Sequence, residues 1–177
     1  PGLHDTYEDE RGSFDQMYDD LGTSTARDLR EVAKVIYGVE NGVPNVEARY
    51  FEIRNGGYDN HSDQGAGSSG GRHYNLHEEV GQALETFYAD CADMGVADKL
   101  VIFVWSEFSR RALQNDTGTD HGTQGPMFVI GGSVNGGVYG NPPDIADASL
   151  DNGNTVYSQD PANPHRATDF RDVYGTI

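Results

Sequence analysis

Apolar residues recur at helical spacing in two stretches of the chain, and run together or alternate with polar ones in three others. Leu29, Val32, Ala33, Ile36 and Tyr37 make one face of a helix predicted over residues 24–38, capped by Ser24 or Thr25 and stopped by Gly38 and Asn41-Gly42. A longer helix is predicted over residues 73–94, where Leu76, Val80, Ala83, Leu84, Phe87, Tyr88 and Cys91 share a face and Gly95 is a natural stop. Between them, residues 46–54 alternate apolar and polar, as in a half-buried strand. Residues 100–105 are an unbroken apolar run, expected of a strand buried on both faces, and residues 126–130 suggest a third strand.

Strand, helix and strand across residues 46–105 predict a right-handed βαβ unit with parallel strands, hence an α/β fold. In such sheets ligands bind outside the carboxyl ends of the strands. Topology would then bring the loop at residues 55–61 against the loop at residues 106–111.

The remainder has weaker patterning. Residues 1–23 are acidic and short of aliphatic side chains, so they read as mostly loop, and residues 62–72 are a Gly/Ser-rich loop. Beyond residue 132, Gly, Asn and Pro predict a hairpin near Asn135-Gly136-Gly137 and then a long irregular loop to residue 168. Asp169 caps a helix that opens at residues 169–177. The expectation is one partial domain over residues 1–177 with its α/β core at 24–132, cut at both ends from a longer protein.

Charge narrows the function classes. The formal net charge is −17, from 29 acidic against 12 basic residues, and only Lys34 and Lys99 are lysines. A surface of that sign repels phosphate backbones and anionic lipid, which argues against nucleic-acid or membrane-surface binding. No run approaches the roughly 18–20 apolar residues that span a bilayer. Cys91 is the one cysteine, which excludes an internal disulfide, and it falls on the apolar helix face as a small buried hydrophobe.

Chemistry-bearing residues gather at predicted strand ends. Asn55-Gly56-Gly57-Tyr58-Asp59-Asn60-His61 places a carboxylate and an imidazole two apart after a Gly-Gly turn, a pair able to converge on one divalent ion. Glu107 follows the apolar run, as a metal ligand or as a partner for Arg110 or Arg111. Either arginine could clamp an anion or neutralise nearby carboxylates. Asp120 and His121 adjoin in a Gly/Thr-rich loop; successive side chains diverge, so His121 is the preferred ligand and Asp120 a ligand or an orienting acceptor. His73 and His77 lie four apart on a helix, a metal-compatible spacing without an evident third ligand, so a helix-terminal or interface role is preferred there. His4 and His165 stand alone and read as solvated. There is no phosphate-cradling loop with a lysine.

Those segments, with Gln64, the helix stretch from Ala83 to Asp90, Gly131-Gly132 through Gly136-Gly137 to Tyr139-Gly140, and Thr168-Asp169-Phe170-Arg171, resemble the C-terminal half of a bacterial family called domain of unknown function 1501. That family is placed by the resemblance in the alkaline phosphatase/sulfatase-like superfamily. The resemblance implies a partial α/β/α sandwich with a mainly parallel sheet, lacking its N-terminal part. It also implies export to the periplasm, cell surface or outside, and one or two divalent metals (Zn, Ca, Mg or Mn) held at strand ends. By motif, Asp59 and His61 match one pair of ligands, Glu107 replaces the Asp of an Asp-His pair, and His121 matches a late His ligand. Ser109 stands where the family more often has Gly, and the Ser or Thr nucleophile would lie upstream of this chain.

Two functions are therefore expected. One is an exported metal-dependent hydrolase of phosphate or sulfate esters, with Asp59, His61, Glu107, Asp120 and His121 at the metal and Arg110 on the anionic substrate. The other is a non-catalytic secreted or cell-surface structural protein that keeps the scaffold. In either, the missing N-terminal part or other chains would cover the open sheet edge, in a homo-oligomer or an extracellular assembly.

Overall fold

The computed structural model describes residues 2–65, 70–122, 125–140 and 169–175. The described chain forms two compact units: residues 1–59 with 66–100, and residues 60–65 with 101–177.

The first unit is a bundle of three mutually packed helices, α1 (Leu3–Leu21), α2 (Ser24–Glu40) and α3 (Arg72–Asp93), followed by a 3-10 turn, Ala97–Lys99. The cap of α2 is Thr23, one position before the expected Ser24, and its hydroxyl accepts from the Ala26 amide at 3.1 Å. Such a cap contributes about 1 kcal/mol. Ala26, Leu29, Ala33, Ala83, Phe87, Cys91 and Val96 fill the core, so the two apolar helix faces behave as their spacing predicts. At Gly38 an added Cβ would fall 2.6 Å from a Leu3 methyl, which measures how closely α1 and α2 approach.

Helix α1 corrects the reading of residues 1–23 as loop. Its buried face is aromatic and ionic rather than aliphatic: Tyr7, Arg11, Phe14 and Tyr18 recur at helical spacing. Tyr7 and Tyr18 are fully buried, and both hydroxyls donate to Asp90 Oδ2, at 2.5 and 3.3 Å. Arg11 completes the hub, donating from Nε to Asp90 Oδ1 at 2.7 Å and reaching Asp93 at 3.1 Å. A buried carboxylate is tolerable only with partners of this kind. The helix kinks at Arg11, whose φ of −126° and ψ of 26° leave the helical region. His4 is exposed, as expected, but lies on this helix with its Nδ1 3.1 Å from the buried Lys34 ammonium and 2.9 Å from Glu8.

The second unit overturns the expected fold class. Instead of a mainly parallel α/β/α sandwich, the described residues hold two small antiparallel sheets of two strands each. Strand β1 (Ile102–Val104) pairs with β4 (Phe128–Ile130), with Phe103 opposite Val129. Strand β2 (Ser109–Gln114) pairs with β3 (Thr119–Gly122), with Arg110 opposite His121 and a register shift between Arg110 and Gln114. Helix α4 (Phe170–Tyr174) starts at Asp169, whose carboxylate accepts from the Arg171 amide at 2.9 Å.

Two local causes explain the correction. Residues 46–54 alternate as a strand should but find no ladder partner among the described residues, and Tyr50 is 83% exposed, so the described βαβ unit has no first strand. The apolar run 100–105 supplies only a three-residue strand, flanked by exposed Val101 and Trp105. Its partner β4 follows only after residues 105–127, which include the β2–β3 hairpin, and pairs with it antiparallel. Residues 131–140 contain turns and no strand pairing, contrary to the hairpin expected near residue 135. Residues 141–168, where a long loop is expected, and His165 among them lie outside the described residues. No described helix is long and apolar enough to cross a membrane.

Candidate metal centre

The site begins with a turn that has no room for a side chain. Between β2 and β3, Asn115-Asp116-Thr117-Gly118 closes on itself: the Asn115 amide donates to the Gly118 carbonyl and the Gly118 amide to Asn115 Oδ1, each at 3.0 Å. An added Cβ at Gly118 would lie 2.3 Å from the Asn60 carbonyl oxygen and 2.4 Å from the His61 carbonyl carbon. Glycine is therefore required by close backbone approach.

Through that contact, residues 60–65 lie along the start of β3. The Thr119 amide donates to the Asn60 carbonyl at 3.2 Å, and the Gln64 amide donates to the Thr117 carbonyl at 3.1 Å. The Asp63 amide donates to Thr117 Oγ1 at 3.1 Å, and Thr119 Oγ1 donates to Gln64 Oε1 at 2.8 Å. Asn60, at the first of these contacts, is buried. The seam sets His61 beside Asp120 and His121.

Those two neighbours meet His61 differently. Asp120 Oδ1 lies 3.0 Å from His61 Nδ1, while the His121 ring lies 4.9 Å from the His61 ring, centre to centre. Asp120 also accepts from Arg111 and, at 3.2 Å, from Asn115 Nδ2. The His61 hydrogen bond first, then Arg111 and Asn115, hold its carboxyl below the usual carboxylate range. An ionised carboxylate can only accept, so His61 carries its proton on Nδ1 in this contact. On the other side, Phe108 stacks on His121 at 4.1 Å and 11°, fixing the plane of that imidazole.

Asp59 immediately precedes this segment, and the chain itself carries it to His61. Ligand atoms of Asp59, His61 and His121 all lie within 4.8 Å of one another. Around a tetrahedral zinc, donors sit about 3.3 Å apart, so closure on an ion requires shifts of at most about 1.5 Å. The exposed Asp59 and His61 side chains can make them by rotamer change.

Of the other residues named from sequence, Glu107 is exposed and stands outside this three-donor group. Arg110 donates from Nε to Thr119 Oγ1 at 3.0 Å and also to the Thr119 carbonyl, with its guanidinium 5.6 Å from the Phe108 ring centre. Arg111 takes the neutralising role, on Asp120. Sequence reasoning missed Phe108, Asn115 and Gly118 as supports. Their signal was the hairpin: Arg110 to Gln114 and Thr119 to Gly122 flank an Asn-Asp-Thr-Gly turn.

No curated protein and no solved structure matches the chain. A family model described as protein of unknown function (DUF1501) matches residues 39–159. That stretch covers more than half of the chain and contains every residue of the candidate centre, and on that match the chain belongs to the DUF1501 family.

Proposed function

We propose that this chain carries a divalent-metal centre formed by Asp59, His61 and His121, and that the protein is an exported metal-dependent hydrolase of phosphate or sulfate esters in the alkaline phosphatase/sulfatase-like superfamily. The convergence of one carboxylate and two imidazoles within 4.8 Å carries the reading. Two nitrogen donors and one oxygen suit Zn²⁺ or Mn²⁺ better than Ca²⁺ or Mg²⁺, which prefer all-oxygen cages. Such an ion, when bound, polarises an ester oxygen and stabilises charge developing in the transition state.

The chain's own residues prepare the site. Asp120 holds Nδ1 of His61 and so leaves Nε2 as the nitrogen that would ligate an ion, the supporting role in which a carboxylate fixes an imidazole tautomer. Phe108 and Arg111 hold His121 and Asp120 in turn. The acidic surface supports an exported setting rich in divalent cations.

One observation favours a second reading, an exported binding or structural protein that keeps the ion without turnover. Both cations nominated for an anionic substrate are engaged inside the hairpin, Arg110 with Thr119 and Arg111 with Asp120. Aryl phosphate and aryl sulfate hydrolysis by the full-length protein separates the two. Hydrolysis that needs added Zn²⁺ or Mn²⁺ and disappears in Asp59→Ala supports the enzyme. Metal binding lost in Asp59→Ala, with no turnover by either form, supports the second reading.

A further inference from the structure

Outside that centre, two imidazoles meet on the first turns of α3. His73 and His77 lie four residues apart, and their Nε2 atoms are 3.1 Å from each other. The rings are set by the 3.6-residue period, which stacks positions i and i+4 on one face, and by Tyr58. That ring packs edge-on against both, at 5.9 Å from His73 and 5.2 Å from His77. Tyr58 is itself pinned, because its hydroxyl donates to the Leu76 carbonyl at 2.9 Å. The His pair is thus held from one side by a fixed aromatic wall, with His77 exposed to solvent.

A separation of 3.1 Å is also a chelate bite. With metal–nitrogen bonds of about 2.05 Å, it subtends roughly 98° at an ion, between the square-planar and tetrahedral values. We propose that His73 and His77 form a second, solvent-facing site for an imidazole-preferring divalent cation of the Cu²⁺, Ni²⁺ or Zn²⁺ class, with water completing the coordination. Hard cations are excluded by the donor set. The ion would also brace a helix start that has little else: the N-cap is Gly71, no side chain caps it, and the first turn carries no acidic residue. Loss of one imidazole leaves a single ligand, so each His is needed.

The test uses the full chain carrying His61→Ala and His121→Ala, which removes the first centre, with Cu²⁺ as the probe. One equivalent of Cu²⁺ is expected to bind, to raise the amide-exchange protection of residues 74–77, and to weaken at least tenfold when either His73→Ala or His77→Ala is added. Circular dichroism shows whether the helices survive each change. In the same chain lacking His61 and His121, trace Cu²⁺ should broaden the NMR signals of residues 73–77. Affinity unchanged by His77→Ala, or broadening confined to other residues, overturns the site. Neither result depends on whether the first centre binds metal or turns over an ester.

Discussion

His61 and Asp120 lie 59 positions apart and meet Nδ1 to Oδ1 at 3.0 Å. Nothing in a parallel sheet brings them together. The contact is made because residues 60–65 lie along a β-hairpin whose turn has a glycine where no Cβ fits. The metal-binding reading depends on this pairing, since it decides which nitrogen of His61 keeps the lone pair that would bind an ion.

Asp120→Asn tests that dependence. The amide can still contact Nδ1, but it no longer accepts as an ion or balances Arg111. Affinity for Zn²⁺ at the first centre should fall about 10- to 100-fold, the usual cost of losing such a support. A chelator-competition titration reads it, and an unchanged affinity would remove Asp120 from the site.

Gly118→Ala should act without touching any ligand. The new methyl collides with backbone atoms of Asn60 and His61 rather than with a flexible side chain, so residues 60–65 must move off the hairpin. Zn²⁺ binding should be lost while far-UV circular dichroism stays near wild type, because α1, α2 and α3 supply most of the helical signal. Gly38→Ala is the control: it meets a movable Leu3 methyl and should leave Zn²⁺ binding intact.

The Asp90 hub should dominate the stability of the helical unit. Asp90→Ala strands Arg11, whose side chain is 10% exposed, and two buried tyrosine hydroxyls. A loss of about 3–5 kcal/mol is expected in urea unfolding, as for a buried ion pair that loses one member. Tyr7→Phe removes a single charge-assisted bond and should cost about 1.5–3 kcal/mol. Equal, small losses for both would show that Asp90 is not the anchor.

Alkali should unfold the protein earlier than acidity of the surface alone implies. Burial pushes the Cys91 thiol up to about 12, with the Asp90 carboxylate adding to the rise. Burial and Asp90 also push Tyr7 and Tyr18 well above the ordinary tyrosine value. Each group keeps its proton longer in the folded state than in the unfolded one. Their contribution is complete below about pH 8.5, the ordinary thiol value, and falls as pH rises toward 12. For Cys91 the slope is about 1.4 kcal/mol per pH unit in that window. Urea midpoints at pH 8, 9.5 and 11 check it, and thiol reagents at pH 8 should label Cys91 only in denaturant.

The chain advertises some of this architecture and conceals the rest. Leu29, Ala33, Ala83, Phe87 and Cys91 lie where their spacing says, because an apolar stripe has few other places to go. Helix α1 was hidden because its buried face is Tyr7, Arg11 and Tyr18, which a hydropathy pattern scores as surface. The parallel sheet was wrong for a different reason. Alternation over residues 46–54 specifies what a strand could be, but a ladder needs a neighbour, and strand pairing is not local information. Asp59, His61 and His121 are still brought together, by a turn rather than by strand ends, while Glu107 stays outside the three-donor group.

Metal content measured after equilibrium dialysis is the most direct test of the centre. The measurement uses the full chain with His73→Ala and His77→Ala, so that only Asp59, His61 and His121 are at issue. The account predicts about one equivalent of Zn²⁺, reduced to background when His61→Ala and His121→Ala are added. Equal Zn²⁺ in the two proteins would contradict it.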